Sequence, residues 1–126
     1  MPKNEALGKQ GEDLAANYLE QNGIKILGRN QRFAGVEVDL LAEEGEEIVV
    51  VEVKTRGSKL VHPSLAVDQK KQKRLARAAQ AIALEYPAHS LRFDVICLIM
   101  QNNACTIEHY RDAFRPELSF GDSSFE

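Results

Sequence analysis

From about residue 4 to residue 22, Leu7, Gly11, Leu14, Ala15, Tyr18 and Leu19 recur at three- and four-residue steps, so they share one arc of a helix, and Gly23 follows as its stop. Residues 24–32 read as a short strand running into a Phe33-Ala34-Gly35 turn. Two β-branched segments, 36–42 and 48–54, flank the acidic run Glu43-Glu44-Gly45-Glu46-Glu47, which is the pattern of an antiparallel hairpin. A loop over 55–63 leads to a second helix, capped by Ser64 or Asp68, striped with Val67, Leu75, Ala78 and Ile82, and ended near Leu84 or Glu85 by Pro87. Residues 91–100 form a buried strand, Asn102-Asn103 a turn and 105–110 a last strand. The order αβββαββ predicts an α/β fold, a mixed β-sheet flanked by helices. One domain is expected over residues 1–115, with a loose tail over 116–126.

At 126 residues and 44% hydrophobic, the chain can bury about two-thirds of its unfolded surface without disulfide or zinc support. Cys97 and Cys105 fit neither a disulfide framework nor a metal motif, which points to reducing cytosol. The longest apolar run, 95–100, is far short of the ~20 residues of a membrane span, and the first 25 residues carry no secretory apolar core. A cytoplasmic protein without membrane contact is the expectation.

Charge changes the picture. The net charge of −3 conceals two blocks: seven acids and no base from Glu37 to Glu52, then eight bases and one acid from Lys54 to Arg77. Such neighbours suit a cation site beside a polyanion-binding surface, or a solvated helix face beside an acidic turn. In the hairpin, Glu37 and Asp39 project from one face of their strand, as do Glu52 and Lys54. A two-residue loop beginning at Gly45 sets Asp39 opposite Glu52 and Glu37 opposite Lys54, with Cβ atoms ~5 Å apart. A loop of Glu44-Gly45 shifts the partners but keeps the polar groups on one face. An unbulged three-residue loop throws the carboxylates to opposite faces.

Two carboxylates that close repel, and a hard divalent cation, Mg²⁺ or Mn²⁺, relieves them while binding phosphate oxygens. Lys54 beside it would position water or offset charge on phosphorus. Ordinary cross-strand ion pairs are the competing reading of the same residues. Glu12 falls at the edge of the first helix's apolar arc, within reach of the hairpin, and Gly8 and Gly11 would allow the helix to approach the sheet closely. Lys71 sits inside the apolar stripe of the second helix, able to reach the carboxylates or a phosphate or to snorkel outward. Lys70, Lys73, Arg74 and Arg77 cover its other faces and could follow a nucleic-acid backbone. His62, His89 and His109 share no metal spacing, and Asp94 in the buried strand reads as the ion-pair partner of Arg92 or another base.

The blocks Gly11-Glu12-x-x-Ala15-x-x-Tyr18-Leu19, Arg29-Asn30-x-Arg32, Gly35-x-Glu37-Val38-Asp39, Val51-Glu52-Val53-Lys54-Thr55-Arg56, Ala66-Val67-Asp68-x-x-Lys71-Gln72-x-Arg74-Leu75 and Arg92-Phe93-Asp94-Val95 closely resemble the bacterial YraN-like family over residues 5–115. That family is similar to the PD-(D/E)xK nuclease superfamily and to archaeal Holliday-junction resolvases. The resemblance implies a restriction-endonuclease-like fold and metal-dependent cleavage of DNA, branched DNA included. Asp39 matches the metal-binding Asp, Glu52 and Lys54 the ExK element, and Glu12 the helix-one acid that assists as an outer metal ligand. Glu37 matches the family's own acidic block and Lys71 its basic helix-two position. Arg56 joins Lys70, Lys71, Lys73, Arg74 and Arg77 as the set expected to hold nucleic acid. Resolvase-like relatives act as two-fold homodimers. Val36 departs from the family's usual second glycine before Glu37, and the loop at Leu60-Val61-His62-Pro63 lacks a common glycine. The second class left open is a non-catalytic nucleic-acid-binding or adaptor module on the same fold.

Overall fold

A computed structural model describes residues 2–58 and 67–116, with side chains from residue 8 onward. The elements are α1 (Pro2–Gln21), β1 (Lys25–Phe33), β2 (Val36–Glu44), β3 (Glu47–Arg56), α2 (Gln69–Glu85), β4 (Ser90–Gln101) and β5 (Ala104–Phe114), in the predicted order. The strands form one sheet in chain order, antiparallel throughout except for β3 and β4. Those two run parallel because α2 carries the chain back along the sheet between them. His62, Ser64, Lys59 and the tail beyond Pro116 lie outside the described residues.

Each helix covers one face of the sheet. Leu75, Ala78, Ala79 and Ile82 of α2 pack with Ile48, Val50, Phe93, Val95 and Phe114, while Ala15, Ala16 and Leu19 of α1 pack with Val49, Val51, Ile96 and Leu98. Strand β3 is thus buried on both faces, which explains its unbroken valines. Val36, the departure from the family's glycine, is a core residue beside Phe33.

Helix α1 ends as its sequence predicts. Gly23 adopts φ +81°, its N–H bonds the Glu20 carbonyl, and the Ile24 N–H reaches back to Leu19, a Schellman stop closed by the Leu19–Ile24 apolar contact. Asp68 caps α2, its carboxylate accepting from the Lys71 N–H at 2.8 Å.

The two helix-one glycines behave differently. A Cβ on Gly11 would stand 2.9 Å from Leu98 Cδ1 and 3.0 Å from Thr55 Oγ1, whereas one on Gly8 would meet nothing within 4 Å. Close approach to the sheet therefore falls on Gly11 alone, and the expectation for Gly8 is corrected. Both substitutions by Ala gain up to ~1 kcal/mol of helix propensity, but only Gly11→Ala overpacks a core contact. Urea denaturation should find Gly8→Ala more stable than Gly11→Ala by about 1–2 kcal/mol. Equal stabilities would contradict this packing.

The acidic run is more strand than loop. Only Gly45 and Glu46 form the turn, with Gly45 at φ +61°, and the ladder continues through Glu44 opposite Glu47. The strands extend this far because the acids find partners: His89 on Glu43 at 2.8 Å, Arg92 on Glu44 and Glu47 at 2.8 and 2.7 Å, and Arg111 on Glu44 at 2.7 Å. For these residues the acidic block is structural.

Strand β5 runs four residues past its predicted end because Asp94 holds it. Buried at 0% exposure, Asp94 accepts from Arg92 Nε at 2.9 Å, pairs with His109 Nε2 at 2.7 Å and accepts from the Asp112 N–H at 2.9 Å, where the register shifts and Asp112 turns to φ +51°. Tyr18 of α1 lies against His109, its hydroxyl 3.3 Å from Nδ1. Asp94 is thus a structural ion-pair partner.

Candidate active site

The hairpin opens into a fork at its far end. Leu40 faces Val51 in the last rung of the β2–β3 ladder, which is the register set by a two-residue loop at Gly45-Glu46. Beyond that rung Asp39 replaces a backbone partner with its side chain: Oδ2 accepts from the Val53 N–H at 2.9 Å. Alternation along β2 breaks at the same place. Val36, Val38 and Leu41 join the core under α2, whereas Leu40 and Ala42 join the core under α1. On β1, Asn30 stands opposite Asp39 between the pairs Arg29–Leu40 and Gln31–Val38, and takes the left-handed conformation at φ +50°.

This break corrects the expectation that all four polar side chains share a face. Glu52 points toward α2, where Lys71 Nζ meets its Oε1 at 2.8 Å. Glu37 instead takes a hydrogen bond from Asn30 Nδ2 at 3.2 Å and lies 3.9 Å from Arg32, away from the Lys54 predicted to oppose it. Asn30 Nδ2 also donates to Glu12 at 3.3 Å, so one amide ties the α1 acid to the β2 acid. Asp39 stands between the two groups, sensed electrostatically by both Glu12 and Glu52. An open cleft of about 360 Å³ is lined by Gly8, Glu12, Asp39, Val53, Lys54, Thr55 and Lys71.

Glu12, Asp39 and Glu52 hold protons more tightly than free carboxylates. Burial lifts Glu52, and repulsion from Asp39 adds to it against the pull of Lys71 and Lys54. Burial likewise lifts Asp39, opposed by the Val53 N–H and by Lys71 and Lys54. Glu12 is raised by partial burial and by Asp39. Burial alone would lower the Lys71 ammonium, yet Glu52 and Asp39 keep it above the usual lysine value. The cluster is short of positive charge.

Glu52 makes the shortage concrete. Its side chain is 1% exposed, and Oε2 has no hydrogen-bond partner among the described residues. No group of three or more acid, histidine or cysteine side chains is close enough to enclose a metal ion among the described residues. The oxygen donors that could hold an ion here would be Asp39 and Glu52, with Glu12 at the rim. Two hard oxygen ligands and room for water fit Mg²⁺ or Mn²⁺, which keep most of their hydration, and would not fit a caged zinc.

The basic block divides as its spacing implies. Lys71 turns inward, while Lys70, Lys73, Arg74 and Arg77 are exposed along one stripe of α2 and Arg56 is exposed at the end of β3. Asn30 is the site residue that candidate-picking by charge passes over. Its signal was an asparagine, a residue tolerant of positive φ, in the middle of a predicted strand.

A mixed five-stranded sheet with a helix on each face makes this an α/β protein whose architecture is consistent with a nuclease-like fold. The family model described as "Uncharacterised protein family UPF0102" matches residues 11–98, and the chain belongs to that family, the YraN family. It is 41% identical over 126 residues to the UPF0102 protein of Nitratidesulfovibrio vulgaris, covering 96% of this chain and 94% of the relative. The UPF0102 protein of Bacteroides thetaiotaomicron is 42% identical over 123 residues (94% and 99% covered), and that of Rhodococcus opacus 45% over 118 (90% and 100%). No helix among the described residues is long and apolar enough to cross a membrane.

Proposed function

We propose that the protein is a divalent-metal-dependent nuclease that hydrolyses phosphodiester bonds in DNA, branched or junction DNA included. The observation that supports this most is Glu52, a buried carboxylate facing Asp39 with one oxygen on Lys71 and the other without a partner among the described residues. A pair of buried acids is costly unless a cation completes it. Asp39 and Glu52 would hold Mg²⁺ or Mn²⁺, with Glu12 assisting from α1 as an outer ligand. Bound there, such an ion supplies Lewis acidity and a water acidic enough to attack at neutral pH.

The chain's own groups do the rest. Lys54, lining the cleft with Asp39, orients the attacking water and offsets charge building on phosphorus. Glu12, whose proton affinity is raised by partial burial and by Asp39, stands at the cleft mouth where it can take a proton. Asn30 fixes Glu12 and Glu37 relative to each other. Arg56, Lys70, Lys73, Arg74 and Arg77 grip the phosphate backbone without reading sequence. A two-fold dimer would match a symmetric junction.

The test is a cleavage screen over single-stranded, duplex, flap and four-way-junction DNA with Mg²⁺ and with Mn²⁺. Metal-dependent cutting of at least one substrate is the expected result. Salt-sensitive DNA binding with no cutting under either metal would make the protein a non-catalytic binding module instead.

A further inference from the structure

We infer that Lys71 is a resident competitor for the cation site: without a divalent ion its ammonium neutralises Glu52, and it gives up Glu52 and turns to the substrate's phosphate backbone when the ion binds. This rests on the metal-dependent reading above and adds the regulation of the same site.

The pair is unequal in a way that decides which partner moves. Glu52 is 1% exposed in its side chain and Lys71 37%. Glu52 cannot reach water, so its ionised form needs a cation. Lys71 already has a third of its side chain in solvent, and its four-carbon stem rotates freely. Its backbone is fixed, since its N–H caps onto Asp68 at 2.8 Å. Only the side chain has to swing.

Contact distance makes coexistence unfavourable. Nζ lies 2.8 Å from Oε1, so an ion held by the unpartnered Oε2 would share one carboxylate with the ammonium. An ammonium and a doubly charged ion repel strongly when both press on one carboxylate in a poorly hydrated site. Lys54 does not face this conflict in the same way: it acts on Asp39 and Glu52 electrostatically from β3, with no ion pair to Glu52 among the described residues.

Once released, the ammonium has a place to go. Lys71 lines the same cleft as Glu12, Asp39 and Lys54 and stands one turn before Arg74 of the exposed basic stripe. A phosphate entering the cleft would meet Lys71 there. The cleft's attraction for a polyanion thereby depends on its cation: Lys71 is bound to Glu52 without the ion and available to phosphate with it.

The experiment measures Mn²⁺ binding to the full chain by titration calorimetry, with no DNA present, for the wild type, Lys71→Met and Lys71→Arg. Lys71→Met keeps the stem and removes the charge, and should bind Mn²⁺ at least about tenfold more tightly. Without Mn²⁺ it should melt below the wild type, because Glu52 has lost its counterion, and Mn²⁺ should close that gap. Lys71→Arg holds a carboxylate in a two-pronged grip and should bind Mn²⁺ more weakly than wild type. This variant decides the matter if Lys71→Met does not fold. Equal or weaker binding by Lys71→Met, or an unchanged affinity in Lys71→Arg, overturns the competitor role while leaving the metal site standing. No Mn²⁺ binding by the wild type or by Lys71→Met at millimolar ion removes both the role and the metal-dependent reading.

Discussion

Asp39→Asn and Glu52→Gln should each abolish the proposed metal-dependent cleavage while leaving the fold intact. The expected loss is about three orders of magnitude, the several kcal/mol contributed by a Lewis-acid cation at about 1.4 kcal/mol per tenfold. Both substitutions keep volume and shape. An asparagine at position 39 can still accept the Val53 N–H that Asp39 accepts now. The sign of the stability change separates loss of chemistry from loss of structure. Asp39 and Glu52 have folded-state pKa values raised by burial, so folding favours their protonated forms. The stability they contribute is therefore present at low pH and falls as pH climbs through the raised values. At pH 7 without metal, each ionised acid is a liability, and Asp39→Asn should melt no lower than the wild type. A variant that cuts the DNA panel as fast as wild type would remove Asp39 or Glu52 from the reaction.

Asp94→Asn carries the largest expected stability loss. It leaves Arg92 and His109 without their shared buried acid, a class of change that costs about 3–5 kcal/mol, or roughly 10–20 °C in a domain of this size. Burial would push Asp94 up, but His109, Arg92 and the Asp112 N–H together hold it below its ordinary 3.8. With a lowered folded value, the stabilisation is complete above the unfolded pKa and drains away as pH falls through the folded one. Wild type should thus lose stability steeply below about pH 4, and the variant, already without this contribution, should show a shallower acid limb. Urea melts from pH 3 to pH 7 provide the check, and a variant within ~1 kcal/mol of wild type at pH 7 would refute the network's importance.

What the chain reveals in advance is uneven for physical reasons. Helix and strand order follow from periodicity, but the sequence leaves the hairpin register open among loops of Gly45-Glu46, Glu44-Gly45 or three residues, and the fold takes the first with Gly45 at φ +61°. The acidic turn is shorter than its local sequence suggests because the partners of Glu44, Arg92 and Arg111, lie on strands two and three away in the sheet, where no local pattern announces them. Asp94 extends β5 by capturing the Asp112 amide, again a long-range contact. At the site, the acids and lysines are visible as residue types, but the face each one takes is not. Strict alternation puts Glu37 with Lys54, and the irregular backbone at Asn30 and Asp39 puts it with Asn30 and Arg32 instead.

The parallel pairing of β3 with β4 has a consequence during synthesis. The bed that receives α2 includes Phe93 and Val95 of β4 and Phe114 of β5, so the helix bearing Lys71 cannot settle until nearly all of the sheet has left the ribosome. A nascent chain already holds Glu12, Asp39 and Glu52 in its first 52 residues, yet Glu52 waits for Lys71 until the last strands emerge.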